Sequence, residues 1–158
     1  MKGSEVTLVR KFNDETVTVE LNVNHTVDSE DVSPTQPGES EAGEMLSKPN
    51  FEVTIEKAGQ KIRLSCTFST DSSQDQDGYE DLYQIVEFSM FTGEDLLDCD
   101  YSVSGDIMDA HLYDLLMNLL EERGITNEFA DQLIDFSTSY EHNLYINLLE
   151  KLKDFVSK

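Results

Sequence analysis

The apolar residues of this chain change period once, at Gly105, and that change decides its fold class. Before it they alternate: Val17, Val19 and Leu21 face one way and Thr16, Thr18 and Glu20 the other, the two-residue period of a half-buried strand. After it, Met108, Leu112, Leu115, Leu116 and Leu119 follow helical spacing. Strands first and helices last, with no strand–helix–strand alternation, predict an α+β fold on an antiparallel sheet.

The segments Glu5 to Lys11 and Glu15 to Val23 read as a hairpin turned at Asn13-Asp14. Phe51, Val53 and Ile55 alternate, Ala58-Gly59-Gln60 turns the chain, and Ile62, Leu64, Cys66 and Phe68 return it. From Leu82 to Phe91 both registers carry apolar residues, Tyr83 and Ile85 in one, Val86, Phe88 and Met90 in the other. That predicts a central strand covered on each face. Thr92-Gly93 ends it, and Tyr101 to Val103 is one more short strand.

The first helix is expected to start from an Asp106 cap, with Ser104-Gly105 as its entry, and to stop at Gly124. The second starts at Thr126 or Asn127, has Glu128 favourably placed in its first turn, and is expected to bend near Ser137-Thr138-Ser139. On it, Leu133, Phe136, Tyr140, Leu144 and Leu148 form one apolar row, and Tyr145, Leu149, Leu152 and Val156 a neighbouring one. A helix resting on a sheet needs a narrower stripe. A deeper seat between the sheet and the first helix is one explanation. A second partner, another subunit or a missing helix, is the preferred one, with Tyr140, Leu144, Tyr145, Leu148, Leu149 and Leu152 as the interface.

A length of 158 residues predicts one domain spanning 1–158, and 33 acidic against 11 basic residues give it a formal charge of −22. Two segments concentrate the acid. Val27 to Lys48 carries Asp28, Glu30, Asp31, Glu39, Glu41 and Glu44 among prolines and glycines, and Ser69 to Asp81 carries Asp71, Asp75, Asp77, Glu80 and Asp81. Neither can bury enough apolar surface to offset chain entropy, so both are expected to be mobile acidic loops that contact partners. A surface of this sign repels nucleic-acid phosphates and anionic membranes. It favours basic proteins, whose approach it would steer. Solubility alone is the other reading of the charge.

No catalytic motif is present, and an enzyme is not expected. The eight glycines are all separate, so no phosphate-cradling loop exists, and G-x-S-x-G does not occur. Asp75-Gln76-Asp77-Gly78 resembles the middle of a calcium loop. Aligning Gly78 on the sixth position, however, puts Ser73 first and Gln84 last, where Asp and a bidentate Glu are required. No metal or cofactor is therefore expected, beyond weak, diffuse divalent binding by the acidic loops. His25, His111 and His142 are isolated, and His142 reads as a packing or interface residue. Cys66 and Cys99 lack metal-ligand spacing and make no disulfide framework, so free thiols are expected. Asn24-His25-Thr26 matches a glycosylation sequon, of consequence only outside the cytosol and mitochondrial matrix. No apolar run reaches membrane-spanning length, and Met1 to Ser4 has no signal or transit character.

Asn127-Glu128-Phe129-Ala130-Asp131-Gln132-Leu133, followed by Glu141-His142, Tyr145-Ile146, Leu149-Glu150, Leu152-Lys153 and Phe155-Val156, resembles the C-terminal signature of the mitochondrial glycoprotein family. This family of acidic matrix proteins includes the receptor for complement globular heads. Leu8-Val9-Arg10-Lys11, Pro49-Asn50-Phe51, Cys66, Leu112-Tyr113-Asp114, Leu116-Met117 and Arg123-Gly124 extend the resemblance through nearly the whole chain. The two acidic loops share only their composition with it. The resemblance implies a twisted antiparallel sheet of about seven strands followed by two C-terminal helices, assembled as a ring-shaped homotrimer. It also implies a non-enzymatic acidic binding protein or chaperone of the mitochondrial matrix, taking basic clients such as RNA-binding or ribosomal proteins and supporting mitochondrial translation and oxidative phosphorylation. The alternatives are a multi-ligand, complement-type cell-surface receptor and a low-affinity calcium buffer, and some members of the family also occur at the nucleus or cell surface. One feature departs from the family pattern: its members carry a helix before the first strand, packed on the last helix, and here Met1 to Ser4 alone precede the strand pattern.

Overall fold

The computed structural model describes residues 3–24, 27–28, 46–69, 81–97 and 100–158. Eight strands come first: β1 (Glu5–Phe12), β2 (Glu15–Asn22), β3 (Val27–Asp28), β4 (Leu46–Ser47), β5 (Phe51–Lys57), β6 (Gln60–Phe68), β7 (Tyr83–Thr92) and β8 (Ser102–Ser104). A short 3-10 turn (Gly105–Ile107) leads to α1 (Ala110–Glu122) and α2 (Asn127–Val156). Six of the strands form one sheet in the order β1-β2-β5-β6-β7-β8, every neighbouring pair antiparallel, and β3 pairs with β4 separately. The α+β class holds, but among the described residues the sheet has six strands rather than about seven. The β3–β4 ladder also lies inside the segment expected to be all loop: Val27 pairs with Ser47 and Asp28 with Leu46.

The register stacks side chains into lateral rows on one face. Val6, Leu21, Phe51, Cys66 and Ile85 are successive partners across five strands, and Val19, Val53 and Leu64 begin the next row. Leu116 and Leu120 of α1, with Ala130, Leu133 and Ile134 of α2, join these residues in one buried cluster. Phe51 packs edge-on to Tyr83 and tilted to Phe68, each ring centre 5.5 Å away. The opposite face is polar: Thr7, Glu20, Glu52, Ser65 and Glu87 lie side by side across it.

The double apolar register of β7 has a different cause from the one expected. The pairing of β6 with β7 shifts between Ser65 and Cys66, so Cys66 opposes Ile85 while Ser65 opposes Glu87, and Val86 is the extra residue. A bulge of this kind reverses the inside–outside alternation beyond it. Tyr83 and Ile85 before the bulge and Phe88 after it therefore serve the same core. Val86 is exposed, and so is Met90, which shares the face of Phe88 at the far end of the strand; on the opposite face Ser89 and Phe91 are buried, Phe91 beneath the Arg63 guanidinium.

Both helix starts follow capping chemistry. The cap of α1 is Asp109, not Asp106: its carboxylate accepts the backbone N–H groups of His111 and Leu112, while Asp106 sits inside the 3-10 turn. Gly105 passes so close to Ile85 that a Cβ there would collide with the Ile85 carbonyl. Gly124 ends α1 with φ +88°, a left-handed value that side-chain-bearing residues avoid. Thr126 caps α2 through the Phe129 N–H, and α2 runs unbroken for 30 residues through Ser137-Thr138-Ser139. At that point the helix docks on the sheet side: Thr138 Oγ1 accepts the Ser47 N–H of β4 at 2.9 Å.

Candidate functional site

Three surfaces carry the chemistry that the sequence implied, and they differ in how the fold builds them. The first is a groove of about 510 Å³ where α1, the start of α2 and the approach to β7 meet. From α1 it takes Tyr113, Asp114, Met117, Asn118 and Glu121, whose spacing puts them on one helical face. Asp81 and Tyr83 flank it on the sheet side, and Asn127 and Glu128 close it from α2. Asp114, Glu121 and Glu128 are exposed, whereas Tyr113 and Met117 are half-buried. No cation is among the lining residues.

The walls of this groove are fixed by hydrogen bonds. Tyr83 donates its hydroxyl proton to the Ile125 carbonyl at 2.6 Å, and the Tyr113 hydroxyl accepts the Ile85 N–H at 3.2 Å. Asn127 Oδ1 accepts the Leu82 N–H at 3.0 Å, tying α2 to the head of β7. Burial pushes both phenols above their ordinary range, so each remains protonated.

The second surface is a shallow depression of about 490 Å³ on the polar sheet face, bordered by Glu5, Glu20, Glu52, Asn22 and Asn50, with the bulge residue Val86 beside it. Glu20 and Glu52 are direct cross-strand partners. Two like charges placed opposite each other work against the sheet by roughly 0.2–1 kcal/mol. Arg63 Nε, 4.0 Å from Glu52, offsets that only weakly.

The third is the outer half of α2. Ala130, Leu133, Ile134 and Ser137 are the buried residues of this helix, and none is buried beyond Ser137. The core-facing row is therefore this one, not the row from Leu133 through Phe136 to Leu148. Phe136 stacks in parallel on Tyr140 at 5.8 Å, with its own surface partly exposed. Of the expected interface residues, Tyr140 is half-buried and donates its hydroxyl to the Gly3 carbonyl, and Leu144 packs at the core margin. Tyr145, Leu148, Leu149 and Leu152 are exposed, as are Phe155 and Val156 at 78% and 70%. The chain thus leaves an apolar flank uncovered over several turns.

Among the expected acidic contact residues, Asp81 belongs to the first groove, and the backbone of Asp28 lies in the β3–β4 ladder. Glu30, Asp31, Glu39, Glu41, Glu44, Asp71, Asp75, Asp77 and Glu80 lie outside the described residues, as do His25 and Cys99. The calcium-like Asp75 to Gly78 stretch lies outside them too. Among the described residues no group of three or more His, Cys, Asp or Glu is placed to hold a metal ion, and no helix is long and apolar enough to cross a membrane. The groove residues Tyr113, Asp114, Met117, Glu121 and Glu128 were not singled out as a site in the sequence. Helical spacing on α1 is the one signal that joins the first four.

Some of the cations, by contrast, serve the fold. Arg123 forms two hydrogen bonds to Glu15, Nε to Oε2 at 2.6 Å and Nη2 to Oε1 at 3.0 Å, and its guanidinium lies 5.3 Å from the Phe12 ring. Lys57 reaches Asp14 and Glu15, and Lys61 reaches Glu56. Carboxylates that line the first groove meet none of them.

The family model described as mitochondrial glycoprotein matches residues 2–156. The bovine protein named complement component 1 Q subcomponent-binding protein, mitochondrial, is 39% identical over 99% of this chain, and its human counterpart 38%. The Caenorhabditis elegans protein named conserved regulator of innate immunity protein 3 is 33% identical, also over 99%. The chain spans 60% of the length of the bovine relative and 68% of the nematode one. A solved structure from Leishmania major, titled as a hypothetical protein of unknown function and a sequence homologue of human p32, superposes with a TM-score of 0.70 at 15% identity, covering 98% of this chain and 77% of that one.

Proposed function

The chain belongs to the mitochondrial glycoprotein family, and on that footing we propose that it is a non-enzymatic acidic binding protein of the mitochondrial matrix that captures basic client proteins. The observation that carries this reading is the division of charge. With a net charge of −22, the chain ties Arg123, Lys57 and Lys61 into ion pairs of its own, and the groove carboxylates are left facing solvent with no cation beside them. A surface built in this way attracts cations at long range and repels phosphates. The acidic segments at 27–48 and 69–81 add to that field, and support for mitochondrial translation and oxidative phosphorylation follows as the role of such a client-holding chaperone.

The uncovered flank of α2 supports self-association, as the homotrimer that the family resemblance implies. Tyr145, Leu148, Leu149 and Leu152 would be covered by another copy. The name of the mammalian relatives favours a second reading, in which a complement-type ligand is bound at the cell surface. Surface labelling of intact cells separates the two.

The test of the main reading is the affinity for an arginine-rich protein across a salt series. The Debye length contracts from about 8 Å at physiological ionic strength to about 3 Å at 1 M. Binding is expected to weaken steeply over that range. Salt-independent binding, or a preference for free RNA over basic protein, would sink the proposal.

A further inference from the structure

We propose that the groove between α1, the start of α2 and the head of β7 seats an arginine side chain of the basic partner. This assignment rests on the reading above and narrows it from a diffuse acidic surface to one place on the fold.

The groove combines a half-buried aromatic wall with a one-signed rim. Tyr113 and Met117 lie half-buried along it, while Asp81, Asp114, Glu121 and Glu128 surround it with no cation among the lining residues. A cation that enters must lose part of its hydration against that wall. An ammonium resists this, being compact and strongly hydrated, whereas a guanidinium is planar, weakly hydrated and stacks on aromatic surfaces. Its several N–H donors can also reach carboxylates on more than one side, here from α1 and from α2. The frame is already set before binding, because the Tyr83–Ile125, Tyr113–Ile85 and Asn127–Leu82 hydrogen bonds fix the three elements around the groove. Little ordering remains to be done when the side chain arrives. In the depression on the polar sheet face the lining aromatic, Phe51, is only 1% exposed and packs in the core, and Glu52 already has Arg63 beside it.

The experiment compares an arginine-rich peptide with its all-lysine counterpart of equal charge, titrated into the full chain at physiological salt. The unaltered protein is expected to prefer the arginine peptide about tenfold, the scale of a partly desolvated cation–aromatic contact. Asp114→Asn with Glu121→Gln, both exposed on α1, is expected to abolish that preference. Glu20→Gln with Glu87→Gln removes the same charge from the polar sheet face and is expected to leave the preference intact. Circular dichroism of the four-residue set checks that both double variants remain folded. Equal affinity for the two peptides, or equal losses in the two double variants, would overturn the groove assignment while leaving the electrostatic reading in place. Failure of the unaltered chain to bind either peptide would overturn both.

Discussion

Arg123 and Glu15 lie 108 positions apart in the sequence and meet as a two-pronged ion pair, the guanidinium holding both carboxylate oxygens at 2.6 and 3.0 Å. The pair joins the first residue of β2 to the turn between the helices, and both side chains are only 10% exposed. It is the ionic fastening among several polar ties of the helical layer to the sheet, the Asn127–Leu82 and Thr138–Ser47 hydrogen bonds being others. The Arg123 hydrogen bonds hold the Glu15 carboxyl below the usual carboxylate range, against the opposing effect of burial.

Removing Arg123 leaves Glu15 with Lys57, whose Nζ lies 3.7 Å away. Arg123→Met should destabilise the fold by about 1–3 kcal/mol, the scale of a hydrogen-bonded acceptor that loses its main partner. Chemical denaturation measures it, and a loss below about 1 kcal/mol, the scale of an exposed pair, would show that water replaces the arginine. Because the folded pKa of Glu15 lies below its unfolded value, the pair's contribution is fully present above the unfolded pKa and is lost as pH falls through the folded one. Glu15→Gln should flatten that acidic limb of the stability profile.

Leu148 is 61% exposed within the chain. Leu148→Glu should therefore leave the melting of the isolated chain nearly unchanged while breaking self-association, read by light scattering at micromolar concentration. If the oligomer keeps its size, the interface lies elsewhere.

Residues 27–28 pair with 46–47, which holds the two ends of the first acidic segment together. Replacing 29–45 by a short glycine-serine turn should preserve the circular dichroism spectrum and slow association with a basic protein. Loss of folding would mean that the segment contributes to the core.

Cys66 lies in the sheet core, 1% exposed, and burial pushes its thiol up to about 12. At neutral pH it should resist alkylation in the native protein and react only after denaturation, as peptide mapping would show. Rapid native labelling would require the β6–β7 half of the sheet to open readily.

The sequence made the class of fold legible because a two-residue period and a 3.6-residue period cannot be confused over whole segments. It misled where one residue changes the phase. Val86 shifts β7 by a single position, so one face looked like two. The α1 cap was misplaced because Asp106 lies inside a 3-10 turn just before Asp109, and both are competent caps. On α2 the largest apolar residues drew the eye to Phe136 and Leu148, whereas the row that meets the core includes Ala130 and Ser137. Small residues let the helix approach closely, and they carry little weight in a hydrophobic pattern. The groove was illegible for another reason: carboxylates abound, and only the fold brings Asp81, Asp114 and Glu128 to one place.

The short β3–β4 ladder also bears on how such a protein changes over generations. A chain segment pinched at its base alters closure entropy only logarithmically with length, about 0.6 kcal/mol for each doubling. Insertions and deletions between Asp28 and Leu46 therefore cost the ladder little in closure entropy. A lineage can raise or lower its acidity there at small entropic expense to the pinch. Partner preference then has a place in which to drift that is closed off at its base by the strands.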